Sequence, residues 1–285
     1  MPKNVLIYGG YNWFGFEIID ALLKENSFTN FIIVDSFQNH LWKDSIRDKM
    51  DQYRYLYDEN IYLWSVDIKD KYKLEHIYKT YPITHVINNI KYNHNDVYMM
   101  EKVEGYRNIF QLNQQYNIQS YICLYRTITH NSFALNHDNS DHVLISDTFN
   151  QCVKEINGAF ADSDHTLHEM ELYDYVYGSK KDKYNDIVSM YKNIIKCRSP
   201  CYVHKCAFYM QHDEEVVQWV LDRLLGDSTT SSMITRRCYQ YIQLYETIYF
   251  HMTQDCKDRD KLITNDTTLL EYIGVDDILK NNDKL

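Results

Sequence analysis

Tyr177 and Lys181 stand four positions apart in the run Tyr173-Asp174-Tyr175-Val176-Tyr177-Gly178-Ser179-Lys180-Lys181. On a helix, that spacing stacks two side chains one above the other. A lysine ammonium beside a phenol favours the phenolate and lowers its pKa. The ring oxygen then becomes usable as an acid or base near neutral pH. Among 27 tyrosines, the same spacing equally fits two solvated residues on an exposed turn. A second group of residues points to different chemistry. Asn4-Val5-Leu6-Ile7-Tyr8 reads as a buried strand, followed by Gly9, Gly10, Tyr11, Asn12, Trp13, Phe14 and Gly15. A second buried run, Phe31-Ile32-Ile33-Val34, closes on Asp35, twenty positions after Gly15.

Strand, glycine turn, helix and a second strand ending in a carboxylate form the start of a dinucleotide-binding βαβ unit. The turn must bring backbone N–H groups against a pyrophosphate, and the helix N-terminus adds partial positive charge. Asp35 is placed to accept both hydroxyls of an adenine ribose. A carboxylate there repels a 2′-phosphate, which favours NAD over NADP. In the spacing G-x-x-G-x-x-G the middle place holds Asn12, a residue type that tolerates left-handed backbone. The alternative is a parallel α/β protein with an ordinary glycine turn and no ligand.

The elements that must position these groups alternate along the chain. Phe14, Ile18, Ala21 and Leu22 share one helical face, as do Leu74, Ile77, Tyr78 and Tyr81 before Pro82, and Met99, Val103, Tyr106 and Phe110. Between them run the strand-length segments Ile61–Val66, His85–Ile90 and Tyr121–Tyr125. Strands and helices in alternation with short joins predict a doubly wound parallel sheet of Rossmann type, with helices on both faces. Gly9, Asp35, Asp67, Asn88 and Thr127 then lie at the carboxyl ends of strands, where ligands bind in such sheets. Asp67 could accept a hydrogen bond from the adenine amino group or cap the following helix.

From about residue 128 to 170 the periodicity fails, apart from a short helix near Phe149–Ile156, so this interval reads as a lid or a surface insertion. A helix over Tyr184–Ile195 follows. From Asp213, Val217, Val220, Leu221 and Leu224 trace another helix, with Gly226 as its C-cap. The chain thus divides into a dinucleotide-binding domain over 1–210 and a small C-terminal substrate lobe over 211–285.

A net charge of −10 in 285 residues offers no field for nucleic acid or an anionic membrane. The apolar runs are strand-length, and the first residues lack a signal-peptide pattern. The expectation is a soluble cytoplasmic protein. Seven cysteines are scattered, and Cys197, Cys201 and Cys206 match no C-x-x-C spacing, so reduced thiols and no metal site are expected. Abundant Tyr, Asn, Lys and Ile with 8 Gly and 3 Pro resemble coding from an AT-rich genome, as in some large DNA viruses or protists.

The order of these segments, with Val103-Glu104-Gly105-Tyr106-Arg107-Asn108 and Tyr177-Gly178-Ser179-Lys180-Lys181, resembles the extended short-chain dehydrogenase/reductase family. Within it, the chain is most similar to the NAD-dependent nucleotide-sugar epimerase/dehydratase branch, over roughly residues 3–210. The resemblance implies that Tyr177 is the catalytic acid/base and that Lys181 holds the nicotinamide ribose. Gly9, Gly10, Asn12, Trp13, Phe14 and Gly15 would form the pyrophosphate turn, Asp35 would bind the adenosine ribose, and Asp67 with Ile68 the adenine. Thr127 would hydrogen-bond the substrate oxygen if the loop shifts by one residue, because Arg126 aligns directly with that place.

Other departures are Asn12, Lys102 in place of a helix Asn, and Lys205–His212 in place of an R-P-x-x-x-x-G-P segment. Ile128-Thr129 replace the Asp-Glu pair of the dehydratases. What the resemblance then implies is an epimerase or keto-sugar reductase acting on a nucleotide sugar. Two alternatives stay open: a catalytically degenerate family member with a binding, sensing or structural role, and a hydroxysteroid-type dehydrogenase with an apolar cleft. Homodimerisation through the helices at Met99–Phe110 and Tyr184–Ile195 is a further expectation from the resemblance.

Overall fold

A computed structural model describes residues 3–11, 13–36, 59–90, 99–126, 151–156, 158, 166–172, 175–177, 207–226, 237–240, 244–246 and 248–249. The chain begins with β1 (Asn4–Tyr8), α1 (Trp13–Glu25), β2 (Asn30–Asp35) and β3 (Ile61–Ser65). It continues with α2 (Lys71–Thr80), β4 (His85–Asn88), α3 (Met99–Gln115) and β5 (Ser120–Arg126). After a short helical segment at 151–156 come β6 (Thr166–Leu172), β7 (Tyr175–Tyr177), β8 (Ala207–His212), α4 (Asp213–Leu225) and β9 (Arg237–Gln240).

The main sheet has the order β3-β2-β1-β4-β5-β6, and the pairings among β1 to β5 are all parallel. Val5, Leu6, Ile7, Ile32 and Ile33 are fully buried, as strands covered on both faces must be. Phe14, Ile18, Ile19 and Leu22 bury one stripe of α1, Leu74, Ile77 and Tyr78 one stripe of α2, and Val103, Tyr106, Ile109 and Leu112 one stripe of α3. Strand order reverses between β1 and β4, which makes the carboxyl ends of these two strands the topological switch point. The doubly wound Rossmann-type architecture expected from the alternation of elements is what the structure shows.

The described residues divide into two compact units. One contains β1 to β5, α1 to α3, β6 up to Glu171 and α4 from Val217. The other contains β7, β8 and β9, a sheet in which β7 pairs parallel and β9 antiparallel with β8.

Two expectations need correction. Strand β6 begins inside the interval 128–170, where the periodicity predicts no strand. Thr166-Leu167-His168-Glu169-Met170-Glu171-Leu172 does not alternate strictly between apolar and polar, so pairing with β5 makes the strand where pattern does not. Tyr177 lies in a strand rather than on a helix, because the β-favouring Tyr-Val-Tyr triplet pairs with Met210–His212. The helix at 151–156 and the left-handed Gly226 (φ 78°) just past α4 agree with the sequence. Among the described residues no helix is long and apolar enough to cross a membrane, and no group of three His, Cys, Asp or Glu could hold a metal ion.

Candidate cofactor site at the switch point

The turn after β1 is fixed by contacts that exclude side chains. Gly9 has φ 63°, a left-handed conformation in which an L side chain is strained. A Cβ there would also come within 2.6 Å of the Asn89 carbonyl oxygen. The Gly9 N–H donates to Val34 O at 2.9 Å, and Asn89 ties the other side, its N–H to Tyr8 O at 2.9 Å and its Nδ2 to Gly9 O at 3.2 Å. Six residues on, α1 runs so close to the turn that a Cβ on Gly15 would overlap the Gly10 carbonyl. The first turn of α1 holds no acidic residue, so its positive end is left without a neutralising carboxylate there.

Asp35 closes this turn from the end of β2. Its Oδ2 accepts the Tyr11 backbone N–H at 3.2 Å, and its backbone oxygen accepts the Val66 N–H at 3.0 Å. The side chain is half-buried. The ends of β1, β2 and β3 are thereby held in one row.

The next loop belongs to the same row. Asp67 Oδ1 accepts the Lys69 N–H at 3.0 Å, while Asp70 accepts from the Lys73 N–H at 3.1 Å and is the N-cap of α2. Capping therefore falls to Asp70, and Asp67 shapes the turn before it. Asn108 of α3 reaches across and donates through Nδ2 to Ile68 O at 3.1 Å and to Lys69 O at 3.2 Å. A Cβ on Gly105 would overlap the Ile68 side chain, so this glycine lets α3 lie against the loop.

Beneath the row is a buried polar layer. Tyr8 Oη donates to Tyr78 Oη at 3.2 Å, and Tyr78 Oη donates to Asn113 Oδ1 at 2.6 Å. Burial pushes both phenols well above their ordinary pKa, which keeps them neutral. Asn88 is fully buried. Its Nδ2 donates to Tyr121 Oη at 3.1 Å, and its Oδ1 accepts the Ile90 N–H at 3.2 Å. This amide orders the end of β4.

The structure thus brings Gly9, Gly10, Gly15 and Asp35 together around one turn, with Phe14 packed into the core beneath α1. Asp67 and Ile68 occupy the neighbouring loop, and Asn88 lies under the surface. Trp13 begins α1. Asn12, Thr127 and Lys181 lie outside the described residues. Sequence reasoning passed over Asn89, Gly105 and Asn108. The signal for the last two was already present in Val103–Asn108, whose Gly and Asn sit three apart and hence on one helical face.

These features fit a dinucleotide. The turn is held open by glycine at the points where backbone meets backbone, a helix N-terminus follows it, and a carboxylate stands at the end of the second strand.

No protein-family model and no curated protein matches this sequence. Solved structures do match it in fold. The Bordetella bronchiseptica enzyme WbmG, in complex with NAD, superposes with a TM-score of 0.63 at 10% identity, over 89% of this chain and 79% of that one. UDP-glucose 4-epimerase of Thermotoga maritima, with UDP-glucose, gives 0.61 at 14% identity, over 90% and 84%. The dTDP-glucose 4,6-dehydratase of Bacillus anthracis, in complex with NAD, gives 0.65 at 12% identity, over 91% and 83%. Rossmann strand order, the glycine turn with Asp35 and these superpositions agree: the chain has the Rossmann-type fold of these enzymes.

Proposed function

We propose that this chain binds NAD at the turn from Gly9 to Gly15 and acts as an epimerase or keto-sugar reductase on a nucleotide sugar. The observation that carries the proposal is the turn itself, in which Gly9 and Gly15 exclude any side chain while Asp35 braces Tyr11. Asp35 selects NAD over NADP, because a second anion beside its carboxylate would be repelled. Asp67 and Ile68 flank the adenine side, on the loop that Asn108 holds. When bound, NAD supplies a reversible hydride acceptor at C4 of its nicotinamide.

The remaining chemistry belongs to the chain. Tyr177 takes up or returns the proton of the sugar hydroxyl that is oxidised or formed. Lys181 holds the nicotinamide ribose, and Thr127 donates a hydrogen bond to the reacting oxygen. Residues 211–285 contribute a small substrate lobe, and the chain pairs into a homodimer.

Mass spectrometry of small molecules released from the purified protein is the first test, with NAD as the expected product. Neither NAD nor NADP, together with no binding of added NAD, would refute the cofactor assignment. Tyr177→Phe should then lower turnover of UDP- or dTDP-sugars by roughly 10²-fold or more while leaving NAD affinity unchanged.

A second reading is a catalytically silent member of this fold that uses NAD or a nucleotide sugar for binding, sensing or structure. It is favoured by the departures of the sequence from the family pattern, Asn12, Arg126 and Lys205 among them. Bound NAD combined with no turnover in wild type, across a panel of nucleotide sugars, would select it.

A further inference from the structure

Gly9 is gripped from both neighbours of β1. Its N–H donates to Val34 O of β2 at 2.9 Å, and its carbonyl oxygen accepts from Nδ2 of Asn89, just past β4, at 3.2 Å. Asn89 is 2% exposed, and its backbone N–H donates to Tyr8 O at 2.9 Å. Asn88 Oδ1 accepts the Ile90 N–H at 3.2 Å, which fixes the chain on either side of Asn89. A carbonyl oxygen only accepts, so the nitrogen of the Asn89 amide must be the atom that faces Gly9.

This contact sets more than the position of Gly9. In a planar trans peptide the C=O and the following N–H point in opposite directions. With the Gly9 oxygen drawn to Asn89, the Gly10 N–H is turned away from Asn89. Gly10 is buried, and a Cβ on it would meet the Ile7 and Ile33 side chains at 3.0 Å, so the residue is held against the sheet. Its N–H has no acceptor among the described residues. Buried backbone donors are almost always paired, so one left open at the end of a strand calls for an acceptor from outside the chain.

Resting on the assignment of NAD to this turn, we propose that Asn89 is a positioning residue for the cofactor. By holding the Gly9 oxygen, its amide presents the Gly10 N–H to the pyrophosphate. The family resemblance assigns no role to Asn89. A turn without this grip is free to rotate the Gly9–Gly10 peptide and to bring a carbonyl, instead of an N–H, against the phosphate anions. Glycine on both sides makes that rotation easy, since neither residue has a Cβ to oppose it. The glycines give the turn its closeness, and Asn89 gives it the polarity that suits an anion.

The test uses the full chain labelled with ¹³C at the carbonyl and ¹⁵N at the amide of glycine. Gly9-Gly10 is the one Gly-Gly pair in the sequence, so Gly10 alone shows an amide coupled to a labelled carbonyl. On addition of NAD its proton signal is expected to move downfield, as for an N–H that gains an anionic acceptor. Adenosine, which carries no phosphate, is expected to leave it in place. Asn89→Asp keeps the shape of the side chain but sets an acceptor against the Gly9 oxygen. NAD affinity should then fall about 10- to 100-fold, and the downfield shift should vanish. Asn89→Ala removes the grip without the repulsion, so its loss should be smaller, about 3- to 10-fold. A residue that serves folding alone would lower the unfolding midpoint and leave affinity and shift unchanged in the folded protein. The wild-type signal is read whether or not either variant folds. A Gly10 signal that bound NAD does not move, or wild-type affinity in either folded variant, overturns the proposal and leaves the NAD assignment standing. A wild type that binds no NAD removes that assignment and this proposal together.

Discussion

The five strands before Thr127 and the strands after it are specified by different physics. In β1, β2, β4 and β5 most side chains are apolar and buried, and β2, β4 and β5 each follow a helix whose apolar stripe repeats at 3.6 residues. In β6 and β7 the apolar pattern is weak, and the strands exist because distant residues pair with them. Tyr177 finds its partner 35 positions away, at His212. A cofactor turn can therefore be dictated by local requirements, a left-handed glycine and a strand-end carboxylate. The strand that carries Tyr177 depends on which segments meet. Binding and chemistry are separable in such a chain, and each can be broken without the other.

The largest effect is expected at Gly15. A valine there drives side-chain atoms into the Gly10 carbonyl, so the turn or α1 must move. Overpacking against backbone should cost about 3 kcal/mol of stability, and NAD affinity should fall more than about 100-fold. Urea unfolding and calorimetric titration with NAD read the two effects. Wild-type affinity in Gly15→Val would break the link between the turn and the cofactor. Next in size is Asp35→Ala, which removes the brace on Tyr11 and the acceptor for the ribose. NAD affinity should drop about 10- to 100-fold, and the preference for NAD over NADP should shrink. An unchanged preference would place the ribose elsewhere.

These two positions were legible because their residue types report a backbone or charge requirement directly. Gly9 and Gly15 are glycine where another backbone passes, and Asp35 is an acid at the end of an apolar strand. Gly105 and Asn108 share a helical face in the sequence, but the carbonyls that the Asn108 amide reaches lie 40 and 39 residues away, so its partners were not legible. Asn88 had the right place at the end of β4, but a side chain on a strand has two faces to choose from, and its contacts put it inside. Tyr177 was identified by spacing to Lys181, a helical rule. The conformation there is extended, and its strand partner, β8, lies 35 positions along the chain, beyond the reach of any local spacing rule.

The pH dependence of stability probes the amino-terminal end of β4 in the main sheet. His85 begins β4, packs edge-on against Phe28 at 5.2 Å, and shares a contact of 2.8 Å with Thr84 Oγ1. Burial, with a smaller contribution from Lys3, pushes its pKa from 6.5 down to about 4. Between those values the unfolded chain binds a proton that the folded chain refuses. The contribution of His85 is therefore complete above about pH 6.5 and is lost as the pH falls towards 4. Between pH 7.5 and pH 5 the loss should be about 2 kcal/mol. Urea midpoints at both pH values, in wild type and in His85→Gln, isolate it. An equal acid sensitivity in both proteins would show that the destabilisation arises elsewhere.

The smallest effect sharpens the contrast most. Asn108→Ala removes two hydrogen bonds from α3 to the Ile68 and Lys69 carbonyls without touching β1, β2 or the glycine turn. The loop is near the surface, so water can replace part of what is lost, and the cost should be about 1 kcal/mol rather than that of two orphaned carbonyls. If this loop forms the adenine side of the site, NAD affinity should fall about 3- to 10-fold. Amide exchange should quicken at residues 67–70 and remain unchanged at residues 5–9. A variant with faster exchange at 67–70 but full NAD affinity would confine the cofactor's protein contacts to the turn and Asp35. The boundary between what the local sequence dictates and what tertiary contact adds would then fall within the binding site itself.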